Sequence, residues 1–418
     1  MSRSEVDNQN IWHPFGPLQG KERLLIERGE GPYLITPDGQ RILDGVSSWW
    51  VNLHGHANPI IAKAIADQAQ KLEQVIFAGF THEPAIQLSE NLLSVLPDNQ
   101  SKIFFSDDGS TSVEVALKLA IQYWHNRSEP RRKIIAIEGA YHGDTFGAMS
   151  VADRNMFSEP FDSRLFEVQF ISFPAKDGRN MIDAFEKLCD TDTAAFIFEP
   201  LVQGAAGMRI YDRNILNELM QIAAKHKVVT IADEVMVGFY RTGKFFATDH
   251  LDHQPDLFCM SKGLTGGFLP MGITSVSQRL VEEFDNDKLD KTFWHGHSYT
   301  ANPLACAAAN ASFALLTSSE CQTQIKRISD SHSEFVKRMS GHERLDKIAS
   351  LGTILSMTIK TEDAGYTSSI RDEMYDYFLE RNILLRPLGN VLYMLPPYVI
   401  SEVELDRVYG EIANFLNR

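Results

Sequence analysis

The stretch Val228-Val229-Thr230-Ile231-Ala232-Asp233-Glu234, followed about thirty residues later by Leu257-Phe258-Cys259-Met260-Ser261-Lys262-Gly263, decides how this chain is read. Each is an apolar run of strand length that delivers one ionisable residue at its C-terminal end, so an acid and an amine are aimed into one crevice. Pyridoxal 5'-phosphate needs that pair. Its ring nitrogen wants a carboxylate to keep it protonated, and its aldehyde, para to that nitrogen, must be held by a lysine as a Schiff base. Asp233 and Lys262 are read as those partners. Singly, neither carries the argument, because a strand-end aspartate is commonly a helix cap and a lysine before glycine is commonly a solvated loop residue.

Outward from this pair, short β-rich runs alternate with helical segments: Lys102–Phe105, Lys133–Ile137, Val168–Ile171, Ala194–Phe198, Val228–Ala232, Asp256–Met260 and Met271–Ser275. The alternation predicts an α/β fold built on a mostly parallel sheet covered by helices. Val113, Ala116, Leu117, Ala120, Ile121 and Trp124 recur at helical spacing and predict a helix over Thr111–His125 with one apolar face on the sheet. Near the N-terminus, Tyr33–Thr36 and Arg41–Leu43 flank Pro37-Asp38-Gly39, the residues of a hairpin turn. Beyond residue 316 come long polar-faced helices, Gln322–Met339 and Ile370–Arg381, and short strands Ile354–Ile359, Ile383–Leu385 and Val391–Met394. The expected organisation is a large domain over 50–315 and a smaller α+β domain from both chain ends, 1–49 and 316–418.

Composition narrows the function. With 418 residues, 44% hydrophobic and 23% charged, the chain has the make-up of a soluble globular enzyme. A net charge of −15 argues against a nucleic-acid backbone or an anionic membrane as partner. Cys189, Cys259, Cys306 and Cys321 show no C-x-x-C spacing and are too sparse for a disulfide framework, which fits reduced thiols in a cytoplasmic protein. No signal peptide is expected in Met1–Asn10, and the apolar helix Asn302–Leu316 is too short to span a bilayer.

Further motifs sit at the ends of the expected strands. Asp107-Asp108-Gly109-Ser110-Thr111 leads into a helix, where free N–H groups and two hydroxyls can cradle a phosphate, although an ordinary Ser/Thr cap gives the same pattern. Its aspartates are expected to point away from the phosphate. Tyr141, in Tyr141-His142-Gly143-Asp144-Thr145, places an aromatic face at the crevice, with His142 as a hydrogen-bonded neighbour of the site rather than its general base. Glu199 and Gln203 follow another strand, and Arg386 follows an apolar run from which it can fork a substrate carboxylate, a surface ion pair being the plain alternative. His54-Gly55-His56 and His295-Gly296-His297 lack companion ligands at metal-site spacing, so no metal is expected.

The Asp233-Glu234-Val235, Lys262, Glu199-Pro200 and His295-Gly296-His297-Ser298-Tyr299 segments resemble class III pyridoxal-phosphate aminotransferases of fold type I. Ile11-Trp12-His13-Pro14, Asp44-Gly45-x-Ser47-Ser48-Trp49-Trp50, the Tyr141–Ser150 segment and Arg386-Pro387-Leu388-Gly389 are similar to the biotin-pathway branch of that family, and the resemblance covers nearly the whole chain. It implies transfer of an amino group from S-adenosylmethionine to 8-amino-7-oxononanoate. By the resemblance, Lys262 binds the cofactor and carries the proton shift, Asp233 holds the ring nitrogen protonated, and Tyr141 stacks on the ring. Gly109, Ser110, His297 and Ser298 complete the cofactor site, Ser298 from the neighbouring subunit of a homodimer with shared active sites. Phe15, Trp49, Tyr141, Gly296 and Arg386 form the substrate site. Branch members that use S-adenosylmethionine carry tyrosine where this chain has Phe15, and Gly-Pro-Thr where it has Gly296-His297-Ser298. Lysine is therefore the alternative donor. Another class III ω-aminotransferase, or a catalytically dead ligand-binding paralogue, are the alternative functions.

Overall fold

Seven strands form the central sheet, in the spatial order Gln100–Ser106, Gly272–Ser277, Leu257–Met260, Val229–Asp233, Thr193–Phe198, Lys133–Ile137 and Gln169–Ile171. The computed structural model describes residues 2–18, 23–175, 177–285, 288–363, 365 and 368–418. Gly272–Ser277 runs antiparallel to both neighbours, and every other pairing is parallel. All seven correspond to the apolar runs read from the sequence, with ends shifted by one or two residues. They read as continuous apolar runs because both faces are covered: every residue of Thr193–Phe198 is buried.

One face carries the helix Gly109–Asn126, which packs Val113, Ala116, Leu117, Ala120 and Trp124 onto the sheet. Ile121, expected in that stripe, is instead 46% exposed; it falls at the margin of the apolar arc, where the helix surface turns away from the strands. The opposite face is covered by Arg179–Leu188 and Arg213–Lys225, whose Ile182, Phe185, Leu216 and Leu219 form a separate core.

The N-terminal hairpin, Tyr33–Ile35 with Arg41–Asp44, gains Arg28–Glu30 on one side and, in parallel, Ile383–Leu384 on the other. The two chain ends thus meet in one small sheet. A three-stranded antiparallel sheet, Leu345–Leu351, Ile354–Ile359 and Val391–Met394, packs beside the long helix Ser319–Met339. Among the described residues no helix is long and apolar enough to cross a membrane.

Candidate active site

Parallel pairing sets Asp233 opposite Cys259 in the register, so the strand ends that carry Asp233 and Lys262 open on the same side of the sheet. Ligand crevices of open α/β sheets lie there, outside the carboxyl ends of the strands. Here that region is a cavity of about 1010 Å³ lined by Asp233, Lys262, Tyr141, Gly109, Ser110, Trp49 and Phe15, among others.

Asp233 is 5% exposed. Its Oδ2 lies 2.7 Å from His142 Nδ1, and its Oδ1 accepts from the Val235 amide at 3.0 Å. His142 therefore orients the carboxylate, as its motif suggested; its other ring nitrogen, Nε2, is buried with no hydrogen-bond partner among the described residues. Lys262 has φ 44, a left-handed backbone uncommon for a residue with a side chain. The turn that follows also uses left-handed backbone, at Gly266 and Gly267, and a Cβ on Gly267 would stand 3.1 Å from the Val51 carbonyl. Burial holds the Lys262 ammonium below the usual lysine range, opposed by the charges of Asp233 and Glu199. Its Nζ lies 5.1 Å from the centre of the Trp50 ring.

Glu199 is buried, not solvated as a strand-end glutamate usually is. It accepts from the Tyr141 amide at 3.1 Å and from the Gly204 amide at 2.8 Å, and burial pushes its carboxyl up to about 7. Tyr141 is positioned through that contact, and its hydroxyl donates to Asp144 at 2.9 Å; burial, then the Asp144 charge, pushes the phenol well above its ordinary range. Gln203, expected beside Glu199 in the crevice, faces away: it is fully buried and donates to the Glu138 carbonyl.

The helix start is capped by Asp108, whose side chain accepts from the Thr111 amide at 2.8 Å, rather than by serine or threonine. Asp108 is thereby turned onto its own helix, while Asp107 lies 3.4 Å from His297 Nδ1; both still line the cavity. The amides of Gly109 and Ser110, in the first helical turn, have no i−4 carbonyl to bond. Ser110 Oγ accepts from the Asp144 amide at 3.1 Å.

The remaining expected residues are placed differently. Arg386 is not among the cavity-lining residues; its guanidinium lies over the Trp49 ring at 4.4 Å, and Phe15 packs edge-on against the same ring at 5.2 Å. Gly296, His297 and Ser298 also stand outside the lining, with the Ser298 carbonyl accepting from Gln74 at 2.7 Å. Asp153, Asn155 and Asn390 line the cavity from loops in which no motif announced them. Six carboxylates, Asp107, Asp108, Asp144, Asp153, Glu199 and Asp233, line it against a single lysine or arginine among the described residues, Lys262.

A family model described as "Aminotransferase class-III" matches residues 18–416. The chain is 46% identical over 419 residues to the adenosylmethionine-8-amino-7-oxononanoate aminotransferase of Synechococcus elongatus, covering 98% of each. It is 33% identical to the Staphylococcus aureus enzyme of the same name, over 99% of this chain and 98% of the relative. The crystal structure of the enzyme of that name from Methanocaldococcus jannaschii superposes with a TM-score of 0.94 at 32% identity, over 99% of this chain and 98% of that one.

Proposed function

The chain belongs to the class III aminotransferases, and on that premise we propose that it transfers an amino group from S-adenosylmethionine to 8-amino-7-oxononanoate in biotin synthesis, with pyridoxal 5'-phosphate as cofactor. The observation that carries this reading is the delivery of Asp233 and Lys262 from adjacent parallel strands into a cavity walled by Trp49 and Phe15. The residues present fit the cofactor. Besides the acid and the amine there is a helix start with two free amides, in surroundings that admit no extra carbon: a Cβ on Gly109 would stand 2.8 Å from Val235 Cγ1.

When bound, pyridoxal phosphate supplies an electron sink for the carbon from which a proton is removed. The protein's part is proton management and positioning. Asp233, fixed by His142, would keep the ring nitrogen protonated. Lys262 would hold the aldehyde and serve as the base that carries the proton; its lowered basicity increases the fraction ready to accept it near neutral pH. Tyr141 would offer an aromatic face, and the Gly109 and Ser110 amides would meet the phosphate, with His297 completing the cofactor site and Ser298 contributed by a second copy. At the mouth, Phe15, Trp49, Gly296 and Arg386 receive the substrates, with Arg386 forking the acceptor carboxylate.

Pairing as a homodimer is supported by the exposure of Ile76, Phe80, Trp294 and Tyr299, large apolar side chains on the two segments that Gln74 and Ser298 tie together. A cytoplasmic location is proposed from the four cysteines, all buried free thiols. The acid-rich lining supports a donor that carries excess positive charge, which holds for S-adenosylmethionine and for lysine. Lysine is kept as a second donor because Phe15, at the cavity wall, has no hydroxyl to offer a polar donor.

The test is product detection by mass spectrometry with 8-amino-7-oxononanoate as acceptor and S-adenosylmethionine, lysine or a zwitterionic ω-amino acid of zero net charge as donor. Diaminononanoate formed from a donor of net positive charge is expected. Product from the ω-amino acid alone would move the reading to another ω-aminotransferase, and no product from any donor would reject it.

A further inference from the structure

The turn Ser47–Trp50 is the most strained stretch beside the cavity. Ser47, Ser48 and Trp50 have φ of 53, 59 and 68, and Ser48 combines its φ with ψ −75, a pair that residues other than glycine rarely adopt. Backbone in such a state persists only where its surroundings over-determine it. What does so here is one carboxylate. Asp44, fully buried, accepts through Oδ1 from the Val46 amide at 3.1 Å and through Oδ2 from the Ser48 amide at 2.6 Å and the Ser48 hydroxyl at 3.3 Å.

A fourth donor comes from outside the turn. His56 Nε2 lies 2.9 Å from Asp44 Oδ2, and His56 Nδ1 lies 3.1 Å from Asn52 Nδ2. Because the asparagine amide nitrogen can only donate, Nδ1 accepts, and the proton of a neutral ring is left on Nε2, facing Asp44. Ser47 Oγ, donating to the Leu395 carbonyl at 2.8 Å, ties the turn to the C-terminal part of the chain. None of Asp44, His56 and Asn52 is among the residues lining the cavity. The turn they hold nevertheless carries Trp49 under Arg386 and against Phe15, and Trp50 beside Lys262.

We propose that Asp44, braced by His56, is a positioning residue for acceptor recognition: it holds the 46–50 turn in its strained form and so sets where Trp49 presents Arg386. The proposal rests on the function argued above, in which Arg386 takes the acceptor carboxylate. It weighs on acceptor binding more than on cofactor binding: Trp50 of the same turn stands 5.1 Å from Lys262 Nζ, but the Asp233–His142 pair and the Gly109–Ser110 helix start lie on other elements.

The test uses the cofactor-loaded full chain and the Asp44→Asn variant, in which one of the two accepting oxygens becomes an NH2 donor set against donors: the Val46 amide, if the remaining oxygen keeps the Ser48 and His56 contacts. Asp44→Asn is expected to keep the visible absorption band, raise KM for 8-amino-7-oxononanoate at least about tenfold, and change kcat less than about threefold. Hydrogen exchange of the Val46 and Ser48 amides should accelerate at least about tenfold, confined to the 45–51 peptide. Adding Ser48→Gly, which removes the conformational penalty at φ 59, should recover most of the acceptor KM. If Asp44→Asn does not fold, His56→Leu carries the same expectation and His56→Gln, which restores a donor, should reverse it. Unchanged acceptor KM with unchanged exchange, a loss confined to the absorption band, or failure of Ser48→Gly to recover KM would each overturn the proposal. Should wild-type protein not aminate the acceptor at all, the functional reading falls by itself, and the clamp is then decided by the exchange measurement alone.

Discussion

At the scale of single residues, the proposed chemistry and backbone strain fall together at Lys262, while Asp233 is locked by a histidine on one oxygen and a backbone amide on the other. Removing the Asp233 charge without changing its shape tests what that locking is for. Asp233→Asn should lower kcat by at least about 100-fold, the size of a lost transition-state charge interaction, with stability little changed. A fall of only a few-fold, measured alongside an unchanged Tm, would move the ring-nitrogen role to Glu199. That Asp233, Lys262 and Tyr141 would share one cavity was legible in the sequence because each lies at or shortly after the end of an apolar strand run. Glu199 was legible by position, but its burial was not, since the two amides that satisfy it come from the 141 and 204 loops. Asp44 gave no chemical signal at all; its four donors assemble only when Val46, Ser48 and His56 fold around it.

At the scale of elements, the strand to helix connection at 106–109 is where packing meets the proposed phosphate site. Gly272, on the antiparallel strand beside Gln100–Ser106, leaves no room for a side chain: a Cβ there would lie 2.1 Å from the Asp108 carbonyl, a backbone atom that cannot swing away. Gly272→Ala should therefore displace the helix start and weaken cofactor retention at least about tenfold, read as cofactor lost on dialysis, while Gly410→Ala, on an open helix face, should leave it unchanged. Equal retention in both would remove the helix start from the cofactor site. The inner strands Lys133–Ile137, Thr193–Phe198, Val229–Asp233 and Leu257–Met260 could be read in advance because burial on both faces makes them largely apolar, and the alternation they set up carried the outer ones. Leu345–Leu351 could not, because only Leu345 of its seven residues is fully buried and its Asp346 and Lys347 are exposed. The cap at Asp108 was equally hidden, since Asp, Ser and Thr all suit that position and only the fold selects among them.

At the scale of the whole molecule, buried histidines tie stability to pH. His332 is fully buried between the Tyr409 hydroxyl at 2.6 Å and the Thr353 carbonyl at 3.2 Å, and burial pulls its pKa down to about 4. The unfolded chain binds that proton near 6.5, so between about 6.5 and about 4 the unfolded state holds more protons, and the stability present above 6.5 is lost as pH falls through that window. Burial acts on Glu199 and Glu234 in the other sense: with carboxyls near 7 they hold protons in the folded state, and their contribution falls as pH rises from about 4.5 to about 7. A His332→Gln variant should consequently lose less stability than wild type between pH 6.5 and 4, by about 3 kcal/mol in denaturant titrations; parallel curves would place His332 outside the pH response. The proposed division into 50–315 and the joined ends 1–49 and 316–418 gives the small sheet its place, with Leu43 and Asp44 paired to Ile383 and Leu384. The proposed chemistry of the site depends on Lys262 being the residue that holds the cofactor. Borohydride reduction of the loaded protein, followed by peptide mass mapping, tests this directly: a pyridoxyl adduct on Lys262, absent together with all transamination in a folded Lys262→Ala protein, is the result expected, and an adduct on any other lysine with Lys262→Ala still turning over would contradict the account.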